Sequence, residues 1–258
     1  MILIYVLIFI LGLIIGSFLN CLIWRLYKEE TVLGRSYCPN CKKTIHWYHN
    51  IPLISFLWLK GRCHFCKEKI SWQYPIVELI TGLLFVLAFY FNFNYDFSIF
   101  KLCFDLIFIS LLIIIFIFDF RWYLVSINVV VFGCVFFLIR NIFLDYPIGS
   151  MLLNVLIGVS FFALQYFLTI LIIKKKGLGE GDIWLGAFFA LAFPVLNQFV
   201  IFLFLTYVIG GIVAIILMIF GLKKIYSKVP LGIFLSIAAI IMLFWGNNLT
   251  NWYLNLIF

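Results

Sequence analysis

The chain has 258 residues, 66% of them hydrophobic and only 11% charged. That excludes an ordinary soluble domain, in which about 25% of residues are charged. A net charge of +8 would suit nucleic acid, but the basic residues fall in a few short stretches between apolar runs. That distribution belongs to cytoplasmic membrane loops, so a lipid bilayer is expected as partner and nucleic acid is not.

The predicted class is all-α and polytopic, with about eight transmembrane helices and one small soluble insert. Residues 2–24 form an apolar run with no basic start and no small-residue cleavage site, so they read as a retained span. Further spans are predicted at 75–91, 99–119, 124–144, 150–173, 183–194, 197–222 and 231–249. The sixth is short for a membrane crossing, which calls for tilt, partial re-entry or shelter by its neighbours. Of 18 Lys and Arg residues, nine lie in 25–74 and seven more follow the third, fifth and seventh spans. Eight alternating spans with both termini outside place these 16 on one side, which makes the insert cytoplasmic. Three parts result: a first transmembrane helix at 1–24, the insert at 25–74 and a seven-helix membrane domain at 75–258. No internal repeat is evident, and Gly210-Gly211 is expected to mark a close helix contact.

The insert carries Cys38-Pro-Asn-Cys41 and Cys63-His-Phe-Cys66, two C-x2-C pairs separated by 21 residues. Such pairs point to a tetrahedral zinc site, and four thiolates leave no open position for water, so the metal is read as structural. Disulfides are the competing reading, and a reducing compartment argues against them. His46, His49 and His64 are then surplus ligands and read as surface or packing residues. A metal suits an insert of this size, which is too small to build a strong core alone. The resulting element is a small zinc-ribbon-like module. Glu78, at the start of the second span, reads as a partner for the helix dipole.

Two carboxylates stand out because charge at a membrane edge is costly. Asp119 closes the third span, and Asp182 opens the sixth behind Gly179-Glu180-Gly181. Both mark cytoplasmic ends and so share a depth. Packed helices bring axes to roughly 8–10 Å, and two inward Asp side chains can close that gap. Such a pair can share one proton, one member taking a proton from water while the other polarises a carbonyl. Gly179 and Gly181 permit positive φ and a close backbone approach, and Glu180 can tune Asp182 or bind a basic segment. The plainer reading of Asp182 is a helix cap. Asp119 has no such reason to sit at a helix C-terminus, where negative charge is disfavoured.

The chain resembles the type IV prepilin (leader) peptidases, a family of membrane aspartic proteases. The resemblance runs over almost the whole length, through Gly16-Ser17-Phe18-Leu19-Asn20, Arg35-Ser36-Tyr37-Cys38-Pro39-Asn40-Cys41, Trp47-Tyr48-His49-Asn50-Ile51-Pro52, Gly61-Arg62-Cys63-His64-Phe65-Cys66 and Tyr74-Pro75-Ile76-Val77-Glu78. Gly179-Glu180-Gly181-Asp182 matches the family's GxGD element, and Asp119 holds the place of its first catalytic aspartate. The resemblance implies an enzyme of the bacterial inner membrane that removes the short basic leader of type IV prepilins or pseudopilins at the cytoplasmic face. It also implies methylation of the new N-terminus with S-adenosylmethionine, for which no fingerprint is visible in the residues. The chain departs from the family at Ser126 and Ile127, usually Pro and Asp, and at Trp184, commonly Lys. Pro230-Leu231-Gly232-Ile233-Phe234 matches only part of a proline–glycine element. Two other classes fit the same elements: an assembly scaffold that docks a partner on its zinc insert, and an ion-coupled transporter using the aspartates as proton carriers. The second lacks inverted halves.

Overall fold

The computed structural model describes residues 1–95, 97–173, 179–222 and 229–257. Asp96, Lys174, Lys175, Lys176, Gly177, Lys223, Lys224 and Lys228, all placed in connections by the sequence, lie outside the described residues. The ordered elements are α1 (Ile2–Tyr27), a 3-10 turn (Trp47–Asn50), α2 (Ile54–Trp58), α3 (Gln73–Tyr95), α4 (Ile99–Trp122), α5 (Ile127–Phe143), α6 (Ile148–Ile173), α7 (Glu180–Ala192), α8 (Leu196–Ile219) and α9 (Leu231–Ile257). The all-α membrane architecture holds: α1, α3, α4, α6, α8 and α9 are long and apolar enough to span a bilayer, and α5 is a shorter apolar helix. Each predicted span has its helix. Several run past their predicted ends, as where polar residues such as Thr250 and Asn251 continue the last helix beyond the apolar run. The chain forms two compact units, Met1–Ile114 and Ile115–Phe258, with the boundary inside α4.

In the first unit α1 and α3 cross at almost backbone contact. A Cβ on Gly12 would lie 2.6 Å from the Gly82 Cα, and one on Gly16 would lie 2.7 Å from the Glu78 Cα. Small residues replace the hydrophobic driving force that helices lack in lipid. The buried Asn20 fastens the crossing, donating to the carbonyls of Gly16 and Tyr74 and accepting from the Gln73 amide at 3.2 Å. Glu78 does more than face a helix dipole. It is 6% exposed, accepts the Leu53 N–H at 2.9 Å and lies within hydrogen-bonding reach of the Ser17 hydroxyl. The insert is thereby tied to both helices.

Each cysteine pair sits in a tight knuckle closed by one β-bridge, Tyr37 to Thr44 and Arg62 to Lys69. The hydrogen bonds match position by position: Cys38 N–H to Lys43 O and Cys63 N–H to Glu68 O, Ile45 N–H to Ser36 O and Ile70 N–H to Gly61 O. Lys42 and Lys67 both take φ 58°. The insert is therefore a duplicated ten-residue knuckle, a repeat hidden from sequence inspection because only the cysteines, one lysine and a terminal isoleucine coincide.

In the second unit the short α7 is sheltered. Leu185, Phe188, Phe189 and Ala190 are all fully buried. Its last two carbonyls are met by side chains of α5, Asn141 donating to Leu191 at 2.8 Å and Arg140 to Ala192 at 3.3 Å, and Asn154 of α6 holds the connection just beyond, donating to Phe193 at 3.3 Å and Pro194 at 2.8 Å. Backbone groups with no water available must find partners within the protein, and thirteen residues suffice because these three side chains finish the helix and the connection beyond it. The α6–α7 contact is again glycine to glycine, a Cβ on Gly158 falling 2.6 Å from the Gly186 carbonyl oxygen. Of the expected Gly210-Gly211 contact only half forms: a Cβ on Gly210 would lie 3.2 Å from the Phe234 ring, while one on Gly211 would meet nothing within 4 Å.

These glycines give a paired test. Gly158→Ala should destabilise the detergent-solubilised protein by about 1–3 kcal/mol through overpacking. Gly211→Ala, whose new Cβ enters open space, should hold or raise the thermal midpoint, because Ala favours helix over Gly by ~1 kcal/mol. Equal midpoints for the two variants would show that α6 and α7 do not depend on this approach.

Candidate active site and metal centre

Asp119 occupies the last turn of α4 and is only 7% exposed. Sequence reasoning found no support for its charge, and the structure supplies some. The N-terminus of α9 meets it: the Ile233 N–H donates to Asp119 Oδ2 at 3.3 Å. Gly232 makes the space, since a Cβ there would lie 2.8 Å from that oxygen. Helix N-termini carry unsatisfied N–H groups and partial positive charge, so they accommodate a carboxylate well. The signal was in the sequence, in the Pro230-Leu231-Gly232 start of the last span; nothing there tied it to a residue 113 positions earlier.

Asp182 lies in the first turn of α7, where its Oδ2 accepts the Gly179 N–H at 2.9 Å. It is thus a helix cap, as the plain reading held. Of the two properties expected of the glycines before it, close approach is used and positive φ is not. Gly179 has φ −84°, ordinary extended backbone, and Gly181 is helical. What Gly181 provides is room: a Cβ would sit 2.7 Å from the Val125 Cβ. The segment following Asp119 and the segment bearing Asp182 can therefore lie against each other.

The two aspartates are brought together, each carboxylate within electrostatic reach of the other. Glu180 turns to α6, where its Oε1 accepts the Tyr166 hydroxyl at 3.1 Å. Two polar residues that sequence inspection passed over join the surroundings. Tyr207 of α8 lies within the field of Asp182, and its hydroxyl donates to Gln165 Oε1 of α6 at 2.7 Å. They escaped notice because single Gln and Tyr residues in apolar helices carry no motif.

The insert brings its four cysteines into one cluster, with all four sulfurs within 4.8 Å of one another and the Cys38 and Cys66 Sγ atoms 3.9 Å apart. A tetrahedral zinc–thiolate site with bonds of about 2.3 Å places its sulfurs roughly 3.8 Å apart, so Cys38, Cys41, Cys63 and Cys66 fit a metal ion. Burial pushes the Cys38 thiol up to about 11. Burial also pushes Cys63 upward, but the N–H groups of Cys66 and Phe65 and the neighbouring thiols outweigh it and bring that thiol down to about 7. Cys63 is thus the readiest thiolate of the pair, and Cys38 needs the cation's field to lose its proton. The histidines stay outside the sulfur cluster and pack on rings, His46 stacked on Tyr48 at 5.3 Å and His49 tilted against His64 at 4.6 Å.

Comparison with known proteins places these features together. A family described as the bacterial peptidase A24 N-terminal domain matches residues 10–92, and the type IV leader peptidase family matches residues 106–215. The chain is 30% identical to the prepilin leader peptidase/N-methyltransferase of Aeromonas salmonicida, over 97% of this chain and 94% of that protein. It is 29% identical to the protein of the same name from Legionella pneumophila, over 97% and 94%. With that of Myxococcus xanthus it shares 34% identity, over 70% of this chain and 54% of the relative. No solved structure matches.

The sulfur cluster sets a measurable expectation. Elemental analysis of the purified protein should find equimolar zinc, lost in Cys38→Ser or Cys66→Ser. Zinc uptake by the stripped protein should weaken as pH falls through about 7, where protons compete for Cys63. Full-strength uptake by either serine variant would show that the cysteines are not the ligands.

Proposed function

The chain belongs to the type IV leader peptidase family, and we propose that it is a membrane aspartic endopeptidase that removes the basic leader from type IV prepilins or related pseudopilins. Asp119 and Asp182 are the proposed catalytic pair. The observation that carries this reading is their convergence: two carboxylates from distant helices, each held through Oδ2 by a backbone N–H, lie within one another's field. A carboxylate pair of this kind shares one proton. The ionised member takes a proton from water as the water attacks the scissile carbonyl. The protonated member gives its proton to the developing oxyanion; as the tetrahedral intermediate collapses, the other member passes the proton it took from water to the leaving amine, and a hydroxyl proton of the intermediate returns to the first carboxylate. No covalent intermediate is required.

Gly179, Glu180 and Gly181 support the substrate in this scheme. Extended backbone at Gly179, without a side chain, leaves room for a peptide strand alongside, and Glu180 offers a negative group to a basic leader. The cytoplasmic orientation rests on charge: with both termini outside the inner membrane, 16 of the 18 basic residues fall on the cytoplasmic side together with the insert. Zinc at Cys38, Cys41, Cys63 and Cys66 would be structural, fixing the two knuckles on each other. The names of the relatives extend the proposal to N-methylation of the new N-terminus, with S-adenosylmethionine as donor. The seven-helix part at 75–258 would carry the peptidase chemistry.

The test is direct: incubate the purified protein with a prepilin and read the mass of the product's N-terminus. Asp119→Asn and Asp182→Asn should each lower cleavage by about 10²-fold or more while the variants still fold and insert. Gly232→Ala should also slow turnover, because its Cβ enters the space of the Asp119 carboxylate, with substrate binding less affected than kcat. Unchanged cleavage by either asparagine variant would refute the assigned pair.

A further inference from the structure

The short helix α2 of the insert is inverted. Ile54, Leu57 and Trp58 share one face, at the spacing that normally turns a helix toward a core. Here that face points outward, with Leu57 74% and Trp58 69% exposed. The residue turned inward is Ser55, buried, its hydroxyl donating to the Tyr48 carbonyl at 2.9 Å. An exposed apolar face rimmed by polar residues marks a contact surface, and what it touches is set by where α2 is held. Two ties fix it to the head of α3. The Phe56 ring packs against Trp72, centroids 5.0 Å apart, one residue before α3 begins. The Leu53 N–H, at the N-terminus of α2, bonds Glu78 in the second turn of α3. Leu53 makes that bond at φ 59°, a left-handed conformation unusual for a bulky side chain. At 23 residues, α3 runs about 35 Å, more than the ~30 Å hydrocarbon core of a bilayer. Trp72, exposed just before it, marks this end at headgroup level, where indole rings are favoured. The helix α2 lies beside that level.

We infer that α2 is an interfacial helix that docks the insert on anionic lipid. Ile54, Leu57 and Trp58 enter the boundary between headgroups and acyl chains, and Lys60 and Arg62 engage the lipid phosphates. Charge supports the choice of occupant. Between Ile54 and Trp72 the chain carries Lys60, Arg62, Lys67 and Lys69 against Glu68 alone, and basic residues beside an apolar face are what an anionic leaflet attracts. Lys60 and Lys67 take φ 51° and 58°, positions that favour Gly or Asn, so lysine is kept where the backbone prefers another residue. A second copy of the chain would set one basic rim against another, and an apolar helix would leave the rim unused. A leaflet with anionic headgroups meets both the apolar face and the charge. The second cysteine knuckle follows α2 directly, so this contact also holds the knuckle at the membrane surface. The inference is independent of the peptidase reading and needs only that α3 spans the bilayer.

Two measurements on the full-length protein in lipid nanodiscs test this. With the photoreactive residue p-benzoylphenylalanine placed at position 57, irradiation should give phospholipid adducts on the α2 peptide, read by mass spectrometry. Hydrogen exchange of the α2 amides should be slower in nanodiscs containing phosphatidylglycerol than in phosphatidylcholine alone. Lys60→Gln and Arg62→Gln should each quicken that exchange by about five-fold in the anionic nanodiscs, the factor one cation near such a surface contributes. Leu57→Ser combined with Trp58→Ser should remove the protection in both lipids. All four side chains are exposed, so their replacement leaves the folded core of the insert untouched, and the wild-type comparison between the two lipids decides the matter if a variant fails to fold. Adducts to a second copy of the chain or to another protein in place of lipid overturn the inference. Exchange that is the same in both lipids overturns it too.

Discussion

A polar group in hydrocarbon must be satisfied by the protein that carries it, and the second unit is organised around this constraint. Asp119 ends a helix, where its charge opposes the dipole of α4, and it is buried. The compensation comes from α9, whose first N–H groups are brought onto the carboxylate because Gly232 has no side chain to keep them away. The same constraint governs α7. At thirteen residues it is shorter than a bilayer requires, and it persists because Asn141 and Arg140 take up its final carbonyls and Asn154 those of the connection just beyond. Removing any one of these donors would leave a bare carbonyl in an apolar surrounding. The position of Asp182 at the other end of α7 therefore depends on contacts at its far end.

Glycine performs the complementary task. Hydrophobic burial drives little association between helices in lipid, so contact depends on close packing. Gly12, Gly16 and Gly82 allow α1 to meet α3, Gly158 and Gly186 allow α6 to meet α7, and Gly181 allows the start of α7 to approach Val125. None of these six uses a left-handed backbone; among the described glycines only Gly34, Gly61 and Gly221 do. Of the glycines beside Asp182, Gly181 thus serves proximity, one of the two roles expected, and neither takes a positive φ.

What could be read from the sequence follows from how local each signal is. Spans, the insert and the cysteine spacing are runs or short periods, so hydropathy and counting find them. The expected pairing of Asp119 with Asp182 rested on topology, because both were read as ends on the same side. The partner of Asp119 was not legible. Ile233 lies far along the chain, and a helix N-terminus is a backbone feature that no side chain announces. Glu78 misled for a related reason. At a span's edge it looks like a dipole partner, and only folding the insert back onto α3 shows it bonded to Leu53 and hidden. The duplicated knuckle was missed because its likeness resides in hydrogen bonds rather than in residue identity.

The capping role of Asp182 and its proposed catalytic role need not compete. A cap uses one carboxylate oxygen, and Oδ2 is the one that Gly179 engages. That bond fixes the side chain's rotation, as a general base requires if it is to meet water at a constant angle. Asp119 is likewise engaged through Oδ2. Two carboxylates each pinned by one backbone N–H are preorganised, and little rotamer entropy is left to lose when a peptide arrives. A purely structural cap would have no need of a second carboxylate within its field, since like charges at short range destabilise the fold unless a shared proton relieves them. The arrangement is costly as architecture and sensible as chemistry, and that asymmetry favours the hydrolytic reading over a scaffold that merely happens to carry two acids.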